Sequence, residues 1–334
     1  SKGLFLHGSY LPESFKDQND LYLRLMGSPD PRQIDGLGGA DPLTSKVVAV
    51  FPSTIPGMHI EYDSVEVGVN SGCVNRGIMC GNLSAGVGYF ALSEGMITPT
   101  PGMTTVNMFC RSNRKTVVAR IPTMDGWPTS VGDFSIQGVP GSAAEVELTF
   151  NDPVGTVSES LFPLGKVNTD LNCPAGGFIK VSVIDAGALY AFFLAEDFGL
   201  SGLESAKELD GHVNLRGSIE WARATIACRL TDRLRTKIEP RRVKCAIVSR
   251  VGETHPGATI VARIINAERT HQAYAVGGAI CTAVAAMTEN SVVSDVASPV
   301  RDGKVTIAHP GGYLCLRVDR NTGDSTMSFE SATV

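Results

Sequence analysis

Two stretches of this chain have no polar side. Cys80-Gly81-Asn82-Leu83-Ser84-Ala85-Gly86-Val87-Gly88-Tyr89-Phe90-Ala91-Leu92 and Gly277-Gly278-Ala279-Ile280-Cys281-Thr282-Ala283-Val284-Ala285-Ala286-Met287 consist almost wholly of small and apolar residues. A helix that is apolar all round is stable only when other elements enclose it. The small side chains let those elements come close. Each stretch therefore calls for its own shell of strands, and the chain supplies two sets. Before the first stretch come Gly3–His7, Val47–Phe51 and Ile60–Val69, and after it Thr104–Phe109, Thr116–Ile121 and Glu145–Phe150. Around the second lie Phe178–Ile184, Ala188–Leu194, Val243–Ser249, Thr259–Ile265, Lys304–Ala308, Tyr313–Asp319 and Ser325–Glu330. Their β-branched and alternating patterns are those of buried strands. Two helices with ordinary periodicity are expected as well, Asp20–Met26 (stopped by Gly27 and Pro29) and about Leu215–Leu234.

At 334 residues the chain is too long for one ordinary core. The Pro-, Gly- and Asn-rich segment Leu161–Gly177 marks the division. The expected fold is α+β: two pseudo-symmetric domains, residues 1–165 and 166–334, each a mixed β-sheet wrapped around a central buried helix.

Charge and cysteine usage exclude several classes of function. The net charge is −5, and the Arg229–Arg242 stretch is interrupted by Asp232 and Glu239, so it reads as a solvated face rather than a nucleic-acid patch. No apolar run is long enough for a membrane helix, and the chain opens without a signal-peptide pattern. Eight scattered cysteines with no CxxC pair read as reduced thiols of a cytoplasmic protein and argue against structural zinc.

Three segments are dense in Gly and small polar residues. The run Gly27 to Lys46 reads either as a surface loop or as a loop that delivers Lys46 to the start of a buried strand, where burial lowers a lysine pKa toward a usable base. Cys80 precedes the first buried helix, where amides and the positive end of the dipole favour a thiolate and hold carboxylates. It reads equally as a small buried residue. Gly277-Gly278 offers the same anion physics at the second helix. His271 reads as a core histidine or a substrate ligand, and His309-Pro310-Gly311-Gly312 as a β-turn or as a way of placing His309 in a cleft.

At these segments the chain resembles the PrpF/methylitaconate Δ-isomerase family, whose fold is diaminopimelate-epimerase-like. The resemblance rests on Ser1-Lys2-Gly3, Gly27-Ser28-Pro29-Asp30, Arg32-Gln33-Ile34-Asp35-Gly36 and Gly39-Ala40-Asp41-Pro42-Leu43-Thr44-Ser45-Lys46. It continues through Cys80-Gly81-Asn82-Leu83-Ser84-Ala85-Gly86-Val87-Gly88, Asp185-Ala186 and His309-Pro310-Gly311-Gly312. It implies a cofactor-independent allylic 1,3-proton shift in an unsaturated di- or tricarboxylic acid: aconitate, methylaconitate, methylitaconate or 4-oxalomesaconate. It also implies a cleft between two similar domains and needs no metal or organic cofactor. The family's catalytic lysine and cysteine fall on Lys46 and Cys80. Its substrate-binding positions fall on Ser1, Lys2, Thr44, Ser45, Gly81, Asn82, Ser84, His271, Gly277, Gly278 and His309. A small polycarboxylate is the implied partner, with a homodimer left open and neither nucleic acid nor membrane expected.

The chain departs from the family at Leu164, Gly187-Ala188 and Val276-Gly277, where a threonine, Asn-Pro and Gly-Thr are usual. The family's Arg-Gly-Gly-Thr ahead of Ser1 and its Gly-Arg-Thr-Ala-Arg beyond the last strand are not in this sequence, which is therefore expected to be a trimmed one. Two other readings stay open. One is a two-thiol racemase or epimerase, for which Cys281 would be the second thiol. The other is a non-catalytic polycarboxylate-binding protein.

Overall fold

The apolar strand segments pair as their alternation requires. The computed structural model describes residues 1–77, 79–174, 176–267, 269–321 and 328–334, which fall into two units. The first holds Ser1–Phe134 and Ser142–Asn151. The second holds Ser135–Gly141 and Asp152–Val334.

The first unit runs β1 (Leu4–His7), α1 (Phe15–Met26), β2 (Lys46–Pro52), β3 (Ile60–Val67), β4 (Val74–Asn75), α2 (Gly81–Ser93), β5 (Gly102–Cys110), β6 (Lys115–Met124), β7 (Trp127–Pro128) and β8 (Glu147–Asn151). The sheet order is β1-β2-β3-β5-β6-β8, with β4 beside β3 and β7 beside β6. The β1–β2 and β3–β5 pairs are parallel; β2–β3, β5–β6 and β6–β8 are antiparallel.

The second unit runs β9 (Thr169–Asn172), β10 (Phe178–Ala186), β11 (Ala188–Leu194), α3 (Ala206–Gly211), α4 (Val213–Leu234), β12 (Lys244–Ser249), β13 (Ile260–Ile265), α5 (Val276–Ala286), β14 (Lys304–His309), β15 (Gly312–Arg320) and β16 (Phe329–Thr333). Its strands pair in the order β9-β10-β11-β12-β13-β14-β15-β16. From β11 to β15 the pairing reads parallel, antiparallel, parallel, antiparallel, the same alternation as from β1 to β6. The buried helix sits at the same step in both units, between β3 and β5 and between β13 and β14. The internal repeat is therefore plain in the topology, although the residues barely repeat.

Glycines let the shell close on α2. A Cβ on Gly86 would lie 2.5 Å from the Phe5 ring of β1, and one on Gly88 would lie 2.5 Å from Ile121 of β6. No real side chain fits at those distances, so the small residues set how tightly the strands wrap. On the other face of the sheet, α1 lays Tyr22 and Met26 against Val47, Val65 and Val67. In the second unit α5 is buried along almost its whole length. The amphipathic α4 packs Leu215, Ile219, Ala222, Ile226 and Leu230 onto Val183, Ala191, Phe193 and Ile247. Burying each large aliphatic side chain contributes roughly 1.5–3 kcal/mol. Arg223, on the same helix and 2% exposed, donates to the carbonyls of Val243 (2.6 Å) and Ile265 (2.9 Å). Its Nε also pairs with Glu220 Oε1 at 3.2 Å, so the buried charge is shared between a carboxylate and backbone acceptors at one end of β12 and of β13.

The structure revises several boundaries. The first helix begins at Phe15 rather than Asp20, because the Ser14 hydroxyl accepts the Asp17 amide at 3.1 Å and opens the helix ahead of its apolar stripe. The stretch Leu161–Gly177 contains β9, whose polar pattern buries only Leu171. The strand expected at Ser325–Glu330 falls partly on residues 322–327, outside the described residues, and the described β16 runs on to Thr333. Among the described residues no helix is long and apolar enough to cross a membrane.

Candidate active site

Lys46 is the first residue of β2 and is 8% exposed. What brings it there is an ordered loop. Gln33, 1% exposed, donates to the hydroxyls of Ser28 (3.0 Å) and Ser45 (2.6 Å), and its carbonyl oxygen accepts the Ala40 amide at 2.9 Å. The Ser45 hydroxyl in turn donates to the Val67 carbonyl at 2.8 Å. The segment 28–45 is thus pinned from inside. Sequence reading missed Gln33, yet the uncharged amide within a polar, Gly-rich run is the kind of group such a loop folds around.

Cys80 is the N-cap of α2, with extended backbone angles of φ −102° and ψ 96°. Its carbonyl accepts the amides of Leu83 (3.0 Å) and Ser84 (3.1 Å), while its side chain makes no capping bond. The thiol is left for other partners. Lys46 Nζ lies 3.5 Å from Cys80 Sγ, and Ser1 Oγ lies 3.7 Å from the same sulfur. An amine, a thiol and a hydroxyl therefore converge at the start of a helix whose first amides have no i−4 carbonyl to bond. Gly81 is buried and Asn82 exposed in that first turn.

The remaining residues of the first unit divide by what their polar atoms already do. Lys2 is exposed, and its backbone amide donates to Leu43 O at 3.0 Å. Its ammonium and the Thr44 hydroxyl both lie by Gly39, where a Cβ would sit 3.4 Å from Lys2 Nζ and 2.3 Å from Thr44 Oγ1. Thr44 is half-buried and donates to Asp41 O. Ser45 and Ser84 are fully buried, and their hydroxyls serve the protein itself. Ser84 Oγ lies 3.0 Å from Tyr62 Oη and bonds the Cys80 carbonyl at 3.3 Å. Tyr62, 1% exposed on β3, extends this chain toward Cys110, and burial pushes its pKa well up, so it stays a neutral phenol. Tyr62 was not among the residues singled out from sequence. A lone tyrosine in an apolar strand carries no signal of its own.

In the second unit, α5 begins at Val276 with Ala275 as its N-cap. Gly277 and Gly278 fall in its first turn. A Cβ on Gly277 would meet Gly187 O at 3.1 Å, and one on Gly278 would meet Tyr190 Oη at 2.6 Å. His271 is half-buried, and its Nδ1 accepts the Ala273 amide at 3.1 Å. His309 ends β14, is 5% exposed, stacks on Tyr274 and accepts the Gly311 amide at Nδ1. Burial, and then the charges of Arg263 and His271, bring its pKa down to about 4. It is therefore a neutral imidazole at physiological pH. Cys281 lies inside α5, 0% exposed, with its thiol donating to Ile184 O at 3.3 Å. Burial drives its pKa well above the ordinary thiol value. Asp185, from the Asp185-Ala186 motif, is fully buried and accepts the amides of Thr156, Val157 and Ser158 at 3.0, 2.8 and 2.7 Å. It anchors the loop that follows β8. Among the described residues no three His, Cys, Asp or Glu side chains gather as a metal site would require.

A family model described as PrpF protein matches residues 1–333. The chain is 32% identical to a 3-methylitaconate isomerase of Eubacterium barkeri, over 94% of this chain and 86% of that one. It is 33% identical to a 4-oxalomesaconate tautomerase of Pseudomonas putida, over 97% of this chain and 87% of the relative. Among solved structures, a methylitaconate Δ-isomerase superposes with a TM-score of 0.77 at 29% identity, covering 99% of this chain and 89% of the other.

Proposed function

The chain belongs to the PrpF family, and on that premise we propose that it is an isomerase that moves a proton, and with it a carbon–carbon double bond, along an unsaturated di- or tricarboxylic acid. Aconitate, methylaconitate, methylitaconate and 4-oxalomesaconate are the candidate substrates. The observation that carries the reading is the approach of Lys46 Nζ to Cys80 Sγ at the N-terminus of α2.

The reaction removes a proton from a carbon vinylogous to a carboxylate, holds the resulting dienolate, and returns a proton two carbons away. In the proposed mechanism the Lys46 amine takes the proton, and the ammonium so formed offsets the charge on the dienolate. Cys80 is the second proton-transfer group, on the same side as Lys46. The first-turn amides of α2 receive a substrate carboxylate, with Thr44 and Asn82 orienting it. Each well-placed donor to the developing oxyanion is worth about 10²–10³ in rate, and a positioned acid or base about 10²–10⁴. In the second unit, neutral His309 is suited to accepting or donating one hydrogen bond rather than to pairing with a carboxylate.

The two-thiol alternative has nothing to support its second half, since Cys281 is buried, engaged and held protonated. All eight cysteines are unpaired, which supports a reducing, cytoplasmic setting.

The test is proton NMR in D₂O with cis-aconitate, trans-aconitate, methylitaconate and oxalomesaconate, each with the protein. The reading expects one of them to interconvert with its isomer. No turnover of any of the four, combined with thermal stabilisation by them, would mark a binding protein instead.

A further inference from the structure

We propose that Lys46 and Cys80 are also a modification site: a hydroperoxide converts the pair into a reversible sulfenamide bridge. Three observations on the first unit carry this. The amine and the sulfur are already in contact at 3.5 Å. Closing a bond between them asks only that the tip of a flexible lysine advance from van der Waals contact. Next, Cys80 is half-buried rather than sealed, which leaves a small oxidant a way to the sulfur. Finally, Cys110, which Tyr62 separates from this site, is poorly placed to act as a resolving thiol. It is 0% exposed, sits 3.1 Å from Ser112 Oγ, and burial raises its pKa. The Lys46 amine is then the nucleophile at hand.

The chemistry balances with the peroxide as the sole oxidant. The Cys80 thiolate attacks one peroxide oxygen. An S–O bond forms, the O–O bond breaks, and hydroxide leaves to become water. The sulfur is now a sulfenic acid, oxidised by two electrons, and the peroxide is reduced. The Lys46 amine attacks that sulfur. An S–N bond forms, the S–O bond breaks, and hydroxide departs as water with a proton from the nitrogen. In sum, one thiol, one amine and one hydrogen peroxide give one sulfenamide and two waters. Excess thiol reverses the bridge by attack at sulfur. The bridge occupies both groups at once, so it shields Cys80 from the irreversible sulfinic acid. Only its effect on turnover rests on the isomerase reading; the bridge itself rests on the geometry of the pair.

The experiment reads mass rather than activity, which keeps the two proposals separable. The protein is treated with hydrogen peroxide, denatured, alkylated with iodoacetamide and digested with trypsin. Trypsin cuts after Arg32, Lys46, Arg76 and Arg111. The expected product is the peptide 33–76, uncut at Lys46, joined to the peptide 77–111. It is lighter by two hydrogens than the sum of the two, with Cys73 and Cys110 alkylated, and dithiothreitol added before alkylation separates it. A Lys46→Arg variant, whose guanidinium cannot close the bridge, should give no joined peptide and should collect Cys80 sulfinic acid. Wild-type protein whose Cys80 is oxidised to sulfinic acid, or left untouched, while trypsin still cuts at Lys46 would overturn the proposal.

Discussion

Lys46 Nζ stands 3.5 Å from Cys80 Sγ, although 34 residues separate the two in the chain. The first comes from the start of a strand and the second from the cap of a buried helix. One brings a flexible amine, the other a sulfur at the positive end of a helix dipole. The pair is the structural core of the proposed reaction.

The Tyr62 hydroxyl should act on Cys80 at second hand. It meets Ser84 Oγ, which bonds the Cys80 carbonyl and so fixes the cap. Tyr62→Phe keeps the ring and removes one buried hydrogen bond, worth about 1 kcal/mol. The expected outcome is a small fall in thermal stability and a several-fold fall in kcat with KM unchanged. A stability loss with kcat untouched would reduce Tyr62 to a packing residue.

Cys281→Ser should leave turnover within a few-fold of wild type, because that thiol is buried and bonded to Ile184 O inside α5. The serine hydroxyl can make the same bond. Loss of activity on the scale of a missing acid or base, about 10²–10⁴, would revive the two-thiol mechanism. Steady-state kinetics on the substrate identified by NMR decides it.

His309 should make stability fall on the acid side of neutrality. Its folded pKa of about 4 lies below the ordinary 6.5, so the folded protein binds fewer protons than the unfolded chain between those values. The stability it contributes is complete above pH 6.5 and is lost as pH falls toward 4, by an amount on the order of 3 kcal/mol. Glu61 and Glu204, held below their ordinary value of 4.5 against the cost of burial, act only at the lower end of that range. Urea unfolding at pH 7.5 and pH 5 should show the drop in wild type and a smaller one in His309→Gln. Equal drops in both would assign the effect elsewhere.

The parts of this molecule legible in the sequence are those that a local pattern specifies. The two all-apolar helices announce α2 and α5, and apolar runs rich in β-branched or aromatic residues announce β2, β10, β11 and β13 within a residue or two. A strand such as β9 was not legible, because only Leu171 of its four residues is buried. The same division holds at the candidate site. Lys46 and Cys80 were open candidates from their position ahead of a buried strand and a buried helix, and the family motifs around them are what raised both. The work of Gln33, Tyr62 and Ser84 was not, since each acts through a partner far along the chain: Ser45 and Ser28 for Gln33, and one another for Tyr62 and Ser84. Ser45 shows the limit from the other side. Its sequence neighbourhood suggests a ligand contact, yet its hydroxyl is fully occupied between Gln33 and Val67.

The most direct test of the account compares wild type with Lys46→Ala in D₂O, using the polycarboxylate that the wild type isomerises. Deuterium entry at the allylic carbon is followed by proton NMR, with circular dichroism to establish that the variant is folded. The account predicts exchange and isomerisation together in wild type and loss of both, by about a thousandfold, in the folded variant. Exchange near the wild-type rate in folded Lys46→Ala would contradict it.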